Sequence, residues 1–196
     1  MVRILDIEDY AINNNIPIMQ KDGIEFLVNY IKKNNIKNIL EIGTAIGYSA
    51  IKMALVDKSI KITTIERDEN RYALAIKNIK DFGLENQIHV ILGDALDVEI
   101  SGIYDLIFID AAKSGYIKYF EKYSPYLKTN GVVVSDNLKF HGLVEGNYEN
   151  LSRNVKGIVR KLKKYTNYLK ENKDYDTIFY DLGDGVSISR KLEKWF

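Results

Sequence analysis

Apolar residues recur along this chain with two different periods, and segments of the two kinds alternate. Short apolar runs have the length of buried strands, and the stretches between them carry apolar residues three or four positions apart, as amphipathic helices do. The run from Tyr104 to Ile109 is almost continuously apolar, which is typical of a parallel strand buried on both faces. The pattern predicts strands over residues 38–42, 61–65, 88–92, 104–109, 131–134, 177–181 and 186–190.

The stretches between these strands predict five helices and a closing hairpin. Asp68 is placed to cap one helix, and Gly83 is placed to end it. Gly183-Asp184-Gly185 separates the last two strands and predicts a hairpin turn. The helices are predicted over residues 22–33, 48–56, 69–81, 114–123 and 149–170.

The repeated strand–helix order predicts an α/β fold: a Rossmann-like, doubly wound sheet of seven strands that ends in an antiparallel hairpin. The chain has 196 residues and no linker or repeat, so we expect a single domain over residues 1–196. Ligands of such sheets bind at the carboxyl ends of the strands. The polar residues that fall at this edge are Glu41, Glu66, Asp94, Asp110, Asp136 and Asn137.

Composition removes some classes of chemistry. The chain contains no cysteine, which excludes disulfides, zinc–thiolate sites and thiol catalysis. Its net charge of +1 neither predicts nor excludes a nucleic-acid partner. No apolar run approaches the roughly 18 residues of a membrane span, and acids stand too early for a signal peptide. We therefore expect a cytoplasmic protein without a membrane partner.

The segment from Glu41 to Ser49 predicts a nucleoside site. It joins the first strand to a helix, and Gly43 and Gly47 have a G-x-x-x-G spacing, with Glu41 two residues before the first glycine. Dinucleotide folds carry a third glycine here for the diphosphate, so its absence argues against an NAD-dependent oxidoreductase. A glycine turn of this kind suits a nucleoside without phosphates, of which S-adenosylmethionine is the commonest.

Three further residues complete the predicted cofactor site. Glu66 ends the second strand, 25 residues after Glu41, where a carboxylate can accept both hydroxyl protons of a ribose; the alternative is a solvated acid. Asp94, in Gly93-Asp94-Ala95, could accept from an adenine amino group or simply form a turn. Ser49 could bind the amino-acid part of the cofactor or cap the helix.

Two neighbouring strand ends predict a metal site. Asp110 and the pair Asp136-Asn137 offer two carboxylates and one amide oxygen, and such hard ligands suit Mg²⁺. The alternative is a helix cap and a polar loop. Lys113 follows Asp110 by three residues, at the start of the next predicted helix. Beside a cation its neutral amine would be favoured, so it could act as a general base, unless it is only a solvated lysine.

These residues together resemble the metal-dependent class I O-methyltransferases, the group of the catechol and caffeoyl-CoA enzymes. The resemblance covers nearly the whole chain and implies a methyltransferase sheet with S-adenosylmethionine as methyl donor. The segments that carry it are 41–49, Ile65-Glu66-Arg67, Gly93-Asp94-Ala95, Ile109-Asp110-Ala111-Ala112-Lys113 and Ser135-Asp136-Asn137.

The sequence is most similar to a bacterial branch of that group, which methylates 5-hydroxyuridine at the tRNA wobble position to 5-methoxyuridine. The resemblance implies a homodimer, a metal on Asp110, Asp136 and Asn137, and Lys113 as base. It implies that Met19, Ser49, Glu66, Asp94, Ala95 and Asp110 contact the cofactor. The segments that carry this narrower match are residues 16–19, 65–69, 174–177 and 183–185.

The acceptor is less well defined by the residues themselves. The predicted long helix carries six basic residues and no acid between Arg153 and Lys164, and this face could contact phosphates or be merely solvated. Tyr116, Tyr119 and Phe140 could stack on a base, hold a phenolic ring or belong to the core. A small catechol-like phenol therefore stays open as the alternative acceptor, and a non-catalytic binding module as a third class.

Overall fold

The computed structural model describes residues 3–140, 142–144, 146 and 152–193. One seven-stranded sheet runs through these residues in the order β3-β2-β1-β4-β5-β7-β6. The first five strands are parallel, and β7 pairs antiparallel with both β5 and β6. The strands are β1 (Asn38–Ile42), β2 (Lys61–Glu66), β3 (Ile88–Leu92), β4 (Tyr104–Ile109), β5 (Leu127–Ser135), β6 (Tyr175–Tyr180) and β7 (Val186–Lys191).

Helices cover both faces of this sheet. Successive residues of the parallel strands point to opposite faces, so that Ile39 and Leu106 join one apolar cluster while Leu40 and Ile107 join the other. The doubly wound α/β fold and its antiparallel C-terminal hairpin are therefore confirmed. The helices are α1 (Ile4–Asn13), α2 (Lys21–Lys33), α3 (Tyr48–Ala54), α4 (Glu69–Asp81), α5 (Tyr116–Tyr123) and α6 (Arg153–Glu171).

Helix α1 was not predicted from the sequence. Only Ile7 and Ala11 of this helix are buried, while Leu5 and Ile12 are exposed, so the apolar stripe is too narrow and too interrupted to give a clear helical period. The predicted long helix begins at Arg153 in the structure, and residues 149–151 of that prediction lie outside the described residues.

Strand β5 is longer than its apolar run predicts. The prediction began at Gly131, but the strand begins at Leu127 and passes through the exposed residues 128–130. Its pairing with β4 shifts register between Tyr104 and Leu106, and Asn130 has a φ of +62°. A polar, irregular segment of this kind carries no alternating pattern, which explains why the sequence does not reveal it.

The strand order reverses direction at β1, which lies between β2 and β4. The loops leaving β1 and β4 go to opposite faces of the sheet and open a crevice above the carboxyl ends of these strands. None of the helices described is long and apolar enough to cross a membrane.

Candidate active site

A pocket of about 300 Å³ lies at this crevice. Most residues singled out from the sequence line it, although they come from six separate segments of the chain. Glu41 and Asp136 are exceptions: they lie behind the wall, 0% and 3% exposed. The predicted residues on the wall are Met19, Gly43, Ser49, Glu66, Asp94, Ala95, Asp110, Lys113 and Asn137.

Gly43 allows the β1–α3 loop to cross the end of β4. Its φ is +102°, and a Cβ at this position would overlap with the backbone carbonyl oxygen of Asp110. The Gly43 and Thr44 N–H groups both donate to the carbonyl oxygen of Ile65 on the other side of the loop. Glycine is thus required by the contact between two strand ends, in addition to any ligand it faces.

Glu41 acts on the pocket through its neighbours. Its carboxylate accepts hydrogen bonds from the hydroxyl of Ser49 at Oε1 and from that of Thr64 at Oε2, both at 2.5 Å. Burial raises the pKa of Glu41 to about 7, against the lowering effect of these two hydroxyls. Helix α3 has Gly47 at its N-cap and no side-chain cap, so Ser49 does not cap it.

Glu66 is held by backbone donors on three sides. Its Oε2 accepts from the N–H of Ala45 at 2.7 Å, and its Oε1 accepts from the N–H groups of Arg67 and Asp68 at 3.0 and 2.9 Å. The side chain is buried, yet it borders the pocket. A carboxylate oxygen can accept more than one hydrogen bond, so this fixed carboxylate can still receive ligand hydroxyl groups.

The turn after β3 is fixed in a similar way. Asp94 Oδ1 accepts from the N–H of Leu96 at 2.8 Å, and the hydroxyl of Tyr123 donates to the carbonyl oxygen of Ala95 at 2.5 Å. The turn reading of Asp94 is therefore correct, and its side chain also borders the pocket. Turn and ligand contact are compatible here, because a single backbone N–H leaves most of the carboxylate's acceptor capacity open.

Asp110, Asp136 and Asn137 meet at the ends of the paired strands β4 and β5. The Asn137 amide nitrogen donates to Asp110 Oδ1 and to Asp136 Oδ2, at 3.0 Å in each case. Asn137 has a φ of +63°, a left-handed conformation that asparagine tolerates better than most residues. The hydroxyl of Tyr116 donates to the Asp136 carbonyl oxygen at 3.0 Å and holds the backbone of this pair.

The two carboxylates are poorly compensated by the protein. Burial raises the pKa of Asp110, and Lys113 opposes this rise. Burial raises the pKa of Asp136 to about 8, with the negative charge of Asp110 as the next contribution. A cation at this point would allow both groups to ionise.

These donors fit a hard divalent cation. Two carboxylates and one amide converge, and rotating the Asn137 amide by half a turn would offer its oxygen in place of its nitrogen. No group of three or more His, Cys, Asp or Glu side chains suited to a metal occurs within the described part of the chain. A metal held here would therefore need the Asn137 amide oxygen in addition to the two carboxylates.

Lys113 was predicted at the start of a helix. In the structure it begins a short 3₁₀ turn over Lys113–Gly115 that leads into α5. Its half-buried side chain borders the pocket, and its charge acts on Asp110. Lys113, the carboxylates and the mouth of the pocket therefore lie together.

The predicted aromatic residues divide between core and pocket. Tyr116 is buried in the core and cannot stack on a ligand, whereas Tyr119 borders the pocket. Sequence reasoning missed Arg67, Arg71 and Tyr48 as lining residues. Arg67 directly follows Glu66 and could have been found from that position alone.

Helix α6 lies beside this site. The helix packs against the 3₁₀ turn that carries Lys113. Val159 and Leu162 are fully buried, while Arg153, Arg160 and Lys164 are exposed. The predicted inward apolar and outward basic faces are therefore both present.

Comparison with known proteins points to one family. A family model described as O-methyltransferase matches residues 4–192. A Staphylococcus aureus structure, described as a candidate caffeoyl-CoA O-methyltransferase, is 40% identical with a TM-score of 0.92, over 97% of this chain and 93% of that chain. An SAH-bound methyltransferase from Podospora anserina is 28% identical with a TM-score of 0.79, over 87% and 78%. A catechol O-methyltransferase from Niastella koreensis is 39% identical over 115 residues, which are 55% of this chain and 52% of that protein.

Proposed function

The chain belongs to the O-methyltransferase family, and we propose that it methylates 5-hydroxyuridine at the tRNA wobble position. The methyl group would go to the hydroxyl that lies beside a second oxygen of the base, with Mg²⁺ bound to the enzyme. S-adenosylmethionine-dependent O-methyl transfer follows from the family and from its SAH-bound member. The metal, the acceptor and the roles of individual residues are the proposal.

The observation that supports it most is the convergence of Asp110 and Asp136 on one amide nitrogen, at 3.0 Å from each, beside the half-buried Lys113. Acids that only capped a helix or formed a polar loop would face solvent, where their charge costs little. Asp136 is only 3% exposed, and the half-buried Asp110 lines the pocket in front of it.

On the acceptor side, Asp110, Asp136 and Asn137 would hold the cation and Lys113 would receive the acceptor's proton at Nζ. A divalent cation held there supplies the positive charge that favours an ionised hydroxyl at neutral pH. The buried Tyr116 keeps the Asp136 backbone in place through its hydroxyl. Much of the acceleration would come from this positioning, because methyl transfer needs an in-line approach.

On the donor side, Glu66 would accept the ribose hydroxyls and Asp94 the adenine amino group. Ser49, fixed by Glu41, would contact the amino-acid part of the cofactor, with Met19 packing against it. Gly43, Ala95 and Asp110 border the same space. Glu66 is suited to its role because three backbone N–H groups already fix its carboxylate.

The choice of 5-hydroxyuridine rests on chemistry and on α6. A 5-hydroxyuracil carries a hydroxyl beside a carbonyl, so it presents two adjacent oxygens as a catechol does. The chain as a whole has a net charge of only +1, yet six basic residues without an acid lie between Arg153 and Lys164. This helix packs beside the turn of Lys113, where phosphates flanking an acceptor base would pass.

A small phenol is the second candidate, favoured by the relative described as a catechol O-methyltransferase. Methylation of tRNA from a strain lacking 5-methoxyuridine, run beside a panel of catechols, separates the two. We expect tRNA to be methylated with the higher kcat/KM. Methylation of catechols alone would overturn the tRNA proposal and leave the O-methyltransferase chemistry intact.

The α6 surface has its own matched test. Replacing Arg153, Lys156 and Arg160 by Gln should raise KM for tRNA roughly tenfold and flatten its salt dependence, because phosphate contacts are lost. KM for a catechol should not change. The control replaces the exposed Lys32, Lys33 and Lys80 by Gln, an equal loss of charge at helix ends away from this face. Equal effects of both triple variants would mean that net charge alone matters.

Metal dependence is tested by combining Asp136→Ala with Asn137→Ala. We expect wild-type methyl transfer to stop in EDTA and return with Mg²⁺, and the double variant to be inactive with or without Mg²⁺. Methyl transfer by the double variant that is insensitive to EDTA would exclude the metal mechanism, whichever acceptor is used.

A further inference from the structure

We infer that the turn Gly183–Gly185 is a positioning element of the active site, which fixes the loop after Asn137 against the chain segment that carries Met19. The catalytic meaning of this contact rests on the proposed function. Sequence reasoning gave the turn only the task of joining β6 to β7.

The loop after the metal pair is held by this turn. Strand β5 ends at Ser135, so its ladder does not extend to the loop. Instead, the N–H of Leu138 donates to the Gly185 carbonyl oxygen at 3.0 Å, and the N–H of Lys139 donates to the Asp184 carbonyl oxygen at 2.7 Å. Asn137 precedes these two bonds directly, so its left-handed backbone is fixed from the C-terminal side by the turn.

Gly185 permits this close approach. Its φ is +86°, and a Cβ there would lie 2.7 Å from Lys139 Cγ and 3.1 Å from the Lys139 backbone nitrogen. The flexible side chain can move away, but the backbone nitrogen is part of the hydrogen-bonded contact. A side chain at Gly185 would therefore push the loop away from the turn.

The other side of the turn faces the start of α2, next to the segment that carries Met19. A Cβ at Gly183 would lie 3.5 Å from Gln20 Cβ and 3.6 Å from the Gly23 backbone nitrogen, which are ordinary contact distances. Gln20 follows Met19, which lines the pocket. Between these contacts lies the buried Asp184, near enough to Asp136 for its charge to act on that carboxylate. The turn thus lies between the loop after Asn137, to which it is hydrogen-bonded, and the segment that follows Met19.

The chain offers a matched pair of variants. Gly183→Ala and Gly185→Ala each add one methyl group at a positive φ in the same turn, so both carry backbone strain, but only the second meets Lys139. We expect Gly185→Ala to weaken Mn²⁺ binding to the full chain by about tenfold, the scale seen when groups supporting metal ligands are changed. Gly183→Ala should leave Mn²⁺ affinity within about twofold, and both variants should keep their affinity for SAH.

Hydrogen exchange provides a readout that needs no metal. In Gly185→Ala the amides of Leu138 and Lys139 should lose protection, while in Gly183→Ala they should keep it. Unchanged protection in Gly185→Ala, or equal loss in both variants, would overturn the inference. If the unmodified chain does not bind Mn²⁺, the proposed metal mechanism fails, and exchange still decides the positioning role. If Gly185→Ala does not fold, hydrogen exchange of the unmodified protein decides the positioning role of the turn. Unprotected Leu138 and Lys139 amides would overturn that role. Exchange of these two amides in one opening event with the Gly185 amide would support it.

Discussion

The pocket has one half that would bind the methyl donor and one that would bind the methyl acceptor, called the donor half and the acceptor half. The protein stabilises the carboxylates of these two halves in different ways. On the donor side, Glu41 receives two hydroxyl hydrogen bonds and Glu66 three backbone ones. On the acceptor side, Asp110 and Asp136 share a single side-chain amide nitrogen, that of Asn137. The carboxylates of the donor half are each held by several hydrogen bonds, whereas in the acceptor half burial and the charge of Asp110 raise the pKa of Asp136 to about 8.

This difference indicates how each half should respond to its ligand. A preformed set of acceptors can bind a neutral or cationic nucleoside with little rearrangement, because its dipoles are already oriented. Buried carboxylates that repel each other lower stability until a cation arrives, and ligand binding then stabilises the fold by mass action. With the proposed metal as ligand, the acceptor half would give up stability for function, and in the donor half only the buried Glu41 carries such a cost.

The largest expected effect comes from Asp136→Asn. It should lower methyl transfer at least about 100-fold, because it removes a charged ligand of the proposed metal site. It should also raise the melting temperature of the metal-free protein by about 2–4 °C for each 1 kcal/mol of relieved burial cost. Activity assays and thermal melts at pH 8 measure the expected fall in methyl transfer and the expected rise in melting temperature. The same change at the exposed Asp97 is the control and should alter neither quantity. A variant with lower stability would contradict a cost of burying the ionised Asp136 carboxylate.

Glu41→Gln tests the one unfavourable acid of the donor half. Between its ordinary pKa of 4.5 and its native value of about 7, the native state keeps a proton that the unfolded chain has released. Its contribution to the free energy of unfolding is therefore fully present below pH 4.5 and is lost as the pH rises through 7. At about 1.4 kcal/mol per pKa unit, the loss amounts to about 3 kcal/mol.

The measurement is the free energy of unfolding by urea for wild type and Glu41→Gln between pH 4.5 and 8. The variant should gain on wild type steadily across this window. Glu85→Gln, at an exposed position, should follow wild type at every pH. A difference between Glu41→Gln and wild type that did not vary with pH would exclude the proposed burial effect.

Glu66→Gln tests whether the two halves of the pocket bind their ligands independently. It should weaken SAH binding by about 2 kcal/mol, since hydrogen bonds to a charged group are lost and one amide hydrogen faces backbone donors. Mn²⁺ affinity should stay within about twofold, because additivity holds for separate sites. Calorimetric titration measures both. Equal losses for SAH and Mn²⁺ would mean that the two halves are one coupled unit.

Short strands made of apolar runs were predictable to the residue. Strands β1, β3 and β4 have the bounds that these runs predict. Strands β1 and β4 are buried almost throughout, so few polar positions blur their ends. Strand β3 is partly exposed, but its five residues form a compact run with only His89 polar. The first half of β5 and helix α1 were missed because their stability comes from tertiary contacts, which leave a weak periodic pattern.

The site was predictable as a set of strand ends, but the direction of each side chain was not. Glu41 and Glu66 both end or nearly end a strand, yet Glu41 points into the interior and Glu66 borders the pocket. Likewise, the glycine spacing predicted a ligand-binding role for Gly43, whereas the structure adds a contact with the backbone carbonyl of Asp110. Such differences depend on which neighbour occupies the space, and neighbours along the sheet are far apart in the sequence.

Ser49 gives the smallest effect and the finest test. Ser49→Ala and Thr64→Val each remove one hydroxyl from Glu41, so each should lower stability by about 1 kcal/mol. Only Ser49 borders the pocket, so only Ser49→Ala should also weaken SAH binding, by roughly fivefold. Urea unfolding and calorimetric titration give the two quantities for both variants. If both variants weakened SAH binding equally, the cofactor would depend on Glu41 itself. If neither variant weakened it, Ser49 would serve only to hold Glu41. The amino-acid part of the cofactor would then need another partner.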